Sequence, residues 1–113
     1  MTFNEYQRQA KKTALYWKVP KLKEMGFVYP LLGLSGETGE VAEKLKKVLR
    51  DKNGVLDKTT RIEIKKEIGD VLWYVSQLCT ELGIKLGDVA ETNIEKLRSR
   101  RQRDKIHGDG DNR

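Results

Sequence analysis

Two acidic pairs in the sequence have the residue types and the spacing to hold a divalent cation. Glu37 and Glu40 form the first pair, and Glu67 and Asp70 form the second. Residues three apart share one face of a helix, so each pair would direct two carboxylates to the same side. Because like charges at this spacing are mildly unfavourable, we expect something to compensate them.

The composition limits which metal could do so. The chain of 113 residues has one cysteine, Cys79, and one histidine, His107. These numbers exclude an intramolecular disulfide and a cysteine-based zinc site. A metal held by carboxylates alone is a hard cation, which favours Mg²⁺, Mn²⁺ or Ca²⁺.

Each acidic pair also has a simpler interpretation, the solvated face of a helix with lysines nearby. Three glycines favour the metal site over that interpretation. Gly36, Gly39 and Gly69 each directly precede one of the acids. A glycine inside a helix costs about 1 kcal/mol relative to alanine, so three of them need a reason. We expect them to let two helices approach closely enough to share a metal.

Helical periodicity runs through most of the chain and predicts an all-α bundle of about four helices. The predicted helices cover 2–18, 30 to about 49, about 60–83 and about 87–102. The third would begin with the capping-box spacing Thr60-x-x-Glu63. Residues 19–29 are predicted as a loop with a short extended piece at 27–29. We expect residues 1–102 to form the domain and 103–113 an irregular C-terminal tail.

The second and third helices are predicted to form a central antiparallel hairpin. Glu40 lies about ten residues, roughly 15 Å of helix, before the end of the second helix. Glu67 lies about seven residues, roughly 10 Å, after the start of the third. These similar heights would bring all four carboxylates to one place.

The third helix is apolar over more than one face, which indicates a subunit partner. We therefore expect a homo-oligomer, since short helices of one chain would cover this helix poorly. The apolar residues are Ile64, Ile68, Val71, Leu72, Val75, Leu78, Cys79 and Leu82.

Most of the formal net charge of +6 lies after residue 95. This basic segment has two interpretations: a solvated helix end, where cations complement the helix dipole, or a site for phosphate or nucleic acid. Three aspartates interrupt it and no aromatic residues are interleaved, which argues against nucleic acid. No apolar run approaches the roughly 20 residues that span a bilayer. The polar N-terminus argues against a secretory signal, so we expect a cytoplasmic protein without a membrane partner.

The sequence resembles the MazG-like, all-α nucleoside triphosphate pyrophosphohydrolases from about residue 30 to the C-terminus. Three motifs carry the resemblance: G-E-x-G-E-x-x-E-x-x-K from Gly36, K-E-I-G-D-V-L-W-Y from Lys66, and N-I-E-K-L-x-x-R from Asn93. Many members have a further glutamate where this chain has Gly36, which leaves the number of bound metals, one or two, open.

This resemblance implies Mg²⁺-dependent hydrolysis of a nucleoside triphosphate to the monophosphate and pyrophosphate, with Mn²⁺ as a possible substitute. It also implies a dimer or a tetramer. By motif match, the metal ligands would be Glu37, Glu40, Glu67 and Asp70. An acid that the metal does not fully engage, Glu37 or Glu40, would orient the attacking water as the catalytic base.

The resemblance further assigns substrate contacts. Asn93, Lys96 and Arg100 fall where members contact the nucleotide phosphates, and Tyr74 matches a position near the sugar or base. Lys44, one turn past Glu40, either reaches the substrate or balances local charge.

Two alternatives to the enzyme remain open. One is a non-catalytic helical module that binds nucleotide or nucleic acid through the basic C-terminal segment. The other is a regulatory relative that keeps the fold and binds nucleotide without turnover.

Overall fold

The computed structural model describes residues 1–113 and contains helices but no strands, which confirms the predicted all-α class. It has five α-helices rather than about four. They are α1 (Phe3–Thr13), α2 (Pro20–Glu24), α3 (Val28–Asp51), α4 (Lys58–Glu81) and α5 (Leu86–Gln102), with a 3-10 turn at Tyr16–Lys18. None of these helices is both long enough and apolar enough to cross a bilayer.

The helices α3 and α4, each 24 residues long, pack along one another as the main unit of the fold. Their contacts pair Lys52 with Thr60 at the connecting turn and Gly33 with Tyr74 at the far end. Residue numbers therefore fall along α3 as they rise along α4, which is the antiparallel order that the sequence predicts.

The start of α4 differs from the prediction because Asp57 caps the helix. The Asp57 Oδ1 atom accepts a hydrogen bond of 2.7 Å from the Thr60 amide, so α4 begins at Lys58 and Thr60 lies inside it. The Thr60 side chain instead accepts a hydrogen bond of 2.6 Å from Lys52 Nζ. A capping box does occur at α1, where the side chains of Thr2 and Glu5 bond to each other's backbone amides.

The segment before α3 was predicted incorrectly in two places. The first helix ends at Thr13 instead of residue 18, because the backbone at Ala14 is extended (φ −77°, ψ 100°). The predicted loop 19–29 contains α2, and Val28 and Tyr29 are helical rather than extended. Pro30 lies in the first turn of α3, where backbone amides have no partner within the helix.

Two side chains of α1 hold the first turn of α5. Gln7 Oε1 accepts a hydrogen bond of 2.9 Å from the Leu86 amide, and Asn4 Oδ1 accepts one of 2.9 Å from the Gly87 amide. Because Lys85 provides no side-chain cap, these contacts satisfy amides that would otherwise lack partners. Within the chain, α5 packs mainly against α1.

The single chain is more open than a globular domain of its size. Its radius of gyration is 17.2 Å, whereas about 13 Å is typical of 113 compact residues. Only 11 residues are buried. Several large apolar residues are exposed, including Leu31, Leu45, Ile68 and Leu49, the last at 73%.

Candidate functional site

The α3–α4 hairpin brings three of the four predicted metal ligands together. One carboxylate oxygen from each of Glu37, Glu67 and Asp70 lies within 4.8 Å of the other two. Glu37 and Glu67 are half-buried, and Asp70 is exposed. Since Glu67 and Asp70 are three residues apart on α4, they share the face that meets Glu37 on α3. We call these three residues the acid cluster.

The fourth acid, Glu40, lies outside the acid cluster and is exposed. The negative charge of Glu40 nevertheless affects the pKa of Glu37. Burial raises the pKa of Glu37 above its ordinary value, and the negative charges of Asp70, Glu67 and Glu40 raise it further. The four acids therefore share one electrostatic environment, in which like charges repel.

Lys44 partly offsets this negative charge. Its Nζ atom lies 3.4 Å from Glu67 Oε1, across the hairpin. Lys46 and Lys47 instead pair with Glu43 on their own helix, at 2.8 and 4.0 Å. One ammonium group thus faces three clustered carboxylates, and the excess negative charge is available to a cation.

The donor atoms of the acid cluster fit Mg²⁺ or Mn²⁺. All are carboxylate oxygens, which hard divalent cations prefer. Mg²⁺ sites in proteins commonly use few carboxylates and complete the shell with water and substrate phosphates. The acid cluster matches this arrangement, because its three carboxylates converge and the exposed position of Asp70 leaves room for water and phosphate ligands.

Tyr74 borders the acid cluster on α4. Burial raises the pKa of its hydroxyl, with smaller contributions from Tyr29 and from the carboxylates of Glu37 and Asp70. The rings of Tyr29 and Tyr74 have centroids 6.4 Å apart, and those of Trp73 and Tyr74 lie 5.0 Å apart. An aromatic surface therefore adjoins the carboxylates.

Gly33 makes the position of Tyr74 possible. A Cβ atom at residue 33 would overlap the Tyr74 ring. The predicted reason for the other glycines is wrong, because a Cβ atom at Gly36, Gly39 or Gly69 would meet nothing within 4 Å. Nothing in the structure explains these three. In the α3–α4 hairpin, the glycine that allows close approach is Gly33, which does not precede an acid.

The predicted phosphate contacts on α5 are not joined to the acid cluster of the same chain. No hydrogen bond or ion pair links Asn93, Lys96 or Arg100 to Glu37, Glu67 or Asp70. Asn93 and Lys96 line an open cleft of about 350 Å³ along α5. Arg100 is buried and contacts the C-terminal residues.

Sequence reasoning missed a polar contact at the far end of α4. The carboxylate of Glu81 accepts hydrogen bonds from the Tyr16 hydroxyl, at 2.7 Å, and from the Trp17 indole. Trp17 is thereby fixed to α4. The only signal in the sequence was a pair of adjacent aromatic donors at the end of the predicted first helix, which identifies no acceptor 64 residues away.

The MazG nucleotide pyrophosphohydrolase domain matches residues 30–103. This range contains both acidic pairs, Tyr74 and the candidate phosphate contacts of α5. The chain is also 45% identical, over 109 residues, to the Gene 37 protein of Mycobacterium phage L5, and the match covers 96% of each chain. That name states no activity. No solved structure matches the chain significantly. The domain match covers well over half of the sequence, and the chain therefore belongs to the MazG nucleotide pyrophosphohydrolase family.

Proposed function

We propose that this chain is a Mg²⁺-dependent nucleoside triphosphate pyrophosphohydrolase, which converts a ribo- or deoxyribonucleoside triphosphate to the monophosphate and pyrophosphate. Mn²⁺ would substitute for Mg²⁺, and the role would be housekeeping or regulation of nucleotide pools. The observation that carries the proposal is the convergence of Glu37, Glu67 and Asp70 within 4.8 Å in a MazG domain.

The residues divide the work by position. The acid cluster would hold the metal, which supplies charge neutralisation, polarised phosphoryl oxygens and a more acidic water. Glu40 lies beside the acid cluster without being part of it, so of the two predicted bases it is the one that we favour for orienting water. Tyr74 would line the side where sugar or base lies. Lys44, paired with Glu67, balances local charge and lies within reach of an incoming phosphate.

The phosphate-binding role of Asn93, Lys96 and Arg100 requires a second chain in this proposal. Because α5 packs mainly on α1 and is not joined to the acid cluster, a homodimer or homotetramer would bring the α5 of one chain to the hairpin of another. The open shape of the chain and its exposed apolar faces support such an assembly.

No observation favours the alternative of a nucleic-acid-binding module. Lys96 and Arg100 pair with Asp111, and Arg103 and Arg113 donate to backbone carbonyls of the C-terminal residues. Four of the seven cations after residue 95 are thus engaged within the chain.

The test is release of pyrophosphate and nucleoside monophosphate from a panel of canonical and modified ribo- and deoxyribonucleoside triphosphates, with millimolar Mg²⁺ or Mn²⁺. We expect equal amounts of the two products from at least one substrate. Release of inorganic phosphate and a diphosphate would mean that a different bond is cleaved. An absence of turnover on the whole panel would refute the enzyme.

Three variants refine this test. Asp70→Asn should abolish turnover while circular dichroism shows unchanged helicity. Glu40→Gln should abolish turnover but retain binding of Mn²⁺, measured by electron paramagnetic resonance. Glu63→Gln removes an exposed carboxylate of α4 one turn before Glu67 and should keep full activity. Full activity in Asp70→Asn would remove the metal assignment.

A further inference from the structure

The C-terminal residues 103–113, which we call the tail, fold back onto α5. Positive φ angles at Gly108 and Gly110 turn the chain towards the helix. Arg113 Nη2 donates a hydrogen bond of 3.0 Å to the Ile106 carbonyl, and Arg103 Nη2 donates one of 2.8 Å to the Arg113 carbonyl. The tail therefore forms a closed loop rather than an extended end.

This loop places the Asp111 carboxylate on two cations of α5. Asp111 Oδ1 lies 3.2 Å from Lys96 Nζ and 3.3 Å from Arg100 Nη2. Arg100 Nη2 also donates to the Asp111 carbonyl, at 2.7 Å. The hydrogen bonds from Lys96 and Arg100 hold the pKa of Asp111 below its ordinary value, so it is an anion at neutral pH.

Burial on the two sides of this contact is unequal. Arg100 is only 5% exposed, whereas the side chain of Asp111 is 84% exposed. The cation is therefore built into the fold, while its anionic partner approaches from solvent. An exposed carboxylate of this kind contributes little binding energy, because water screens it.

The carboxylate also leaves part of the guanidinium unused. Arg100 Nε is buried and has no hydrogen-bond partner. Arginine commonly binds phosphate through two parallel N–H donors, and a phosphoryl group has more acceptor oxygens than one carboxylate. The site on Lys96 and Arg100 is thus incompletely satisfied by Asp111.

We infer that the tail is an intramolecular competitor for an anion site. Asp111 occupies this site on Lys96 and Arg100, and pyrophosphate or the polyphosphate of a nucleotide must displace Asp111 in order to bind there. The inference rests on the proposed function only for the identity of the anion. A polyphosphate carries more negative charge than the carboxylate and can use both donor edges of Arg100, so it displaces the tail at a cost in affinity. Competition by the tail therefore raises the concentration of pyrophosphate or nucleotide that is needed to fill the site on Lys96 and Arg100.

The direct test is binding of inorganic pyrophosphate, measured by calorimetry in EDTA at low ionic strength. Without a divalent cation the acid cluster does not bind pyrophosphate, so the binding that is measured occurs at the cationic site. We expect Asp111→Asn to bind pyrophosphate about three- to tenfold more tightly than the unmodified chain, as loss of two ion pairs to an exposed carboxylate predicts. Asp109→Asn is the matched control. It removes the same charge two residues before Asp111, from a side chain that makes no ion pair.

A second variant tests whether the gain in affinity comes from loss of the Asp111 carboxylate rather than from a new contact of the asparagine amide. A chain that ends at residue 107 lacks Asp111 altogether and should show the same gain. Unchanged or weaker pyrophosphate binding in both variants would overturn the inference, as would an equal gain in Asp109→Asn.

Hydrogen exchange provides a readout that is independent of affinity. Saturating pyrophosphate should speed exchange of the Asp104 and Lys105 amides, which donate to the carbonyls of Arg101 and Arg100, and leave α1 unchanged. Slower exchange in the tail would mean that it closes over the anion, contrary to the inference. Because neither experiment uses turnover, an inactive enzyme would refute the proposed function without affecting this one.

Discussion

The ring of Tyr74 on α4 lies against the backbone of Gly33 on α3, in the space that a Cβ atom of residue 33 would occupy. Glu37 follows one turn later on α3, and its carboxylate contributes to the raised pKa of Tyr74. The absence of a side chain at residue 33 therefore sets how near the phenol lies to the acid cluster.

Gly33→Ala should displace the Tyr74 ring. The added methyl group overlaps the ring, so we expect destabilisation of about 1–3 kcal/mol. If Tyr74 lines the nucleoside side of the site, KM should rise more than kcat falls. Chemical denaturation and steady-state kinetics measure the two effects.

Gly39→Ala is the control for this substitution, because its Cβ atom meets open space. Removal of a mid-helix glycine should then stabilise the protein by up to about 1 kcal/mol. Identical behaviour of the two variants would contradict the positioning role of Gly33.

Divalent cations should stabilise the protein through the acid cluster. A ligand at about 100 times its Kd stabilises the folded state by about 2.7 kcal/mol, so Mg²⁺ should raise the melting temperature. In EDTA, Asp70→Asn should melt at the same or a higher temperature than the unmodified chain, because it removes one of the mutually repelling charges. The melting temperature of Asp70→Asn should also no longer rise when Mg²⁺ is added, whereas that of Glu63→Gln should still rise. A melting temperature that does not respond to Mg²⁺ or Mn²⁺ would exclude the metal site.

Acid should weaken the start of α4 through Asp57. Hydrogen bonds from Thr60, with a further one from Lys52, lower the pKa of Asp57 to about 2. A depressed folded-state pKa stabilises the protein above the unfolded value of about 3.9, and this contribution is lost as pH falls towards 2. Asp57→Asn, which retains a capping oxygen, should therefore flatten the fall in melting temperature between pH 4 and 2. An unchanged slope would show that the cap does not titrate in this range.

Assembly should depend on the uncovered face of α5. Leu97 is 40% exposed on a helix that packs mainly against α1. We expect light scattering to give the mass of a dimer or tetramer, and Leu97→Asp to shift it towards the single chain. Ser99→Asp, about 200° around the same helix, should leave the assembly intact. A monomer at all concentrations would contradict the proposed arrangement of the site.

The sequence predicted the parts of this fold that depend on periodicity. The helical hairpin follows from two long amphipathic segments with a short connection. Helix rise places the two acidic pairs at similar heights, but it does not show that only Glu37 of the first pair meets Glu67 and Asp70. Asp57, rather than Thr60, starts α4 because both residue types cap helices and only the backbone geometry decides between them. The end of α1 at Thr13 was not predictable, since the residues after it remain apolar and aromatic.

The contacts that sequence reasoning could not find join residues distant in the chain. Glu81 receives Tyr16 and Trp17, and Asp111 returns to Lys96 and Arg100. No local pattern specifies either pairing. The prediction that Gly36, Gly39 and Gly69 allow the helices to approach failed for a related reason. Whether a missing Cβ atom allows close approach depends on what the opposite helix places there, and of the glycines in the hairpin only Gly33 faces a ring.

The acid cluster lies more than two turns inside both helices of the hairpin. Fraying affects mainly terminal turns, so these carboxylates are held at their spacing before any ion arrives. Little conformational entropy is then lost on capture. The slow step should be stripping water from the cation, which Mg²⁺ resists strongly, so Mn²⁺ should enter the site faster than Mg²⁺.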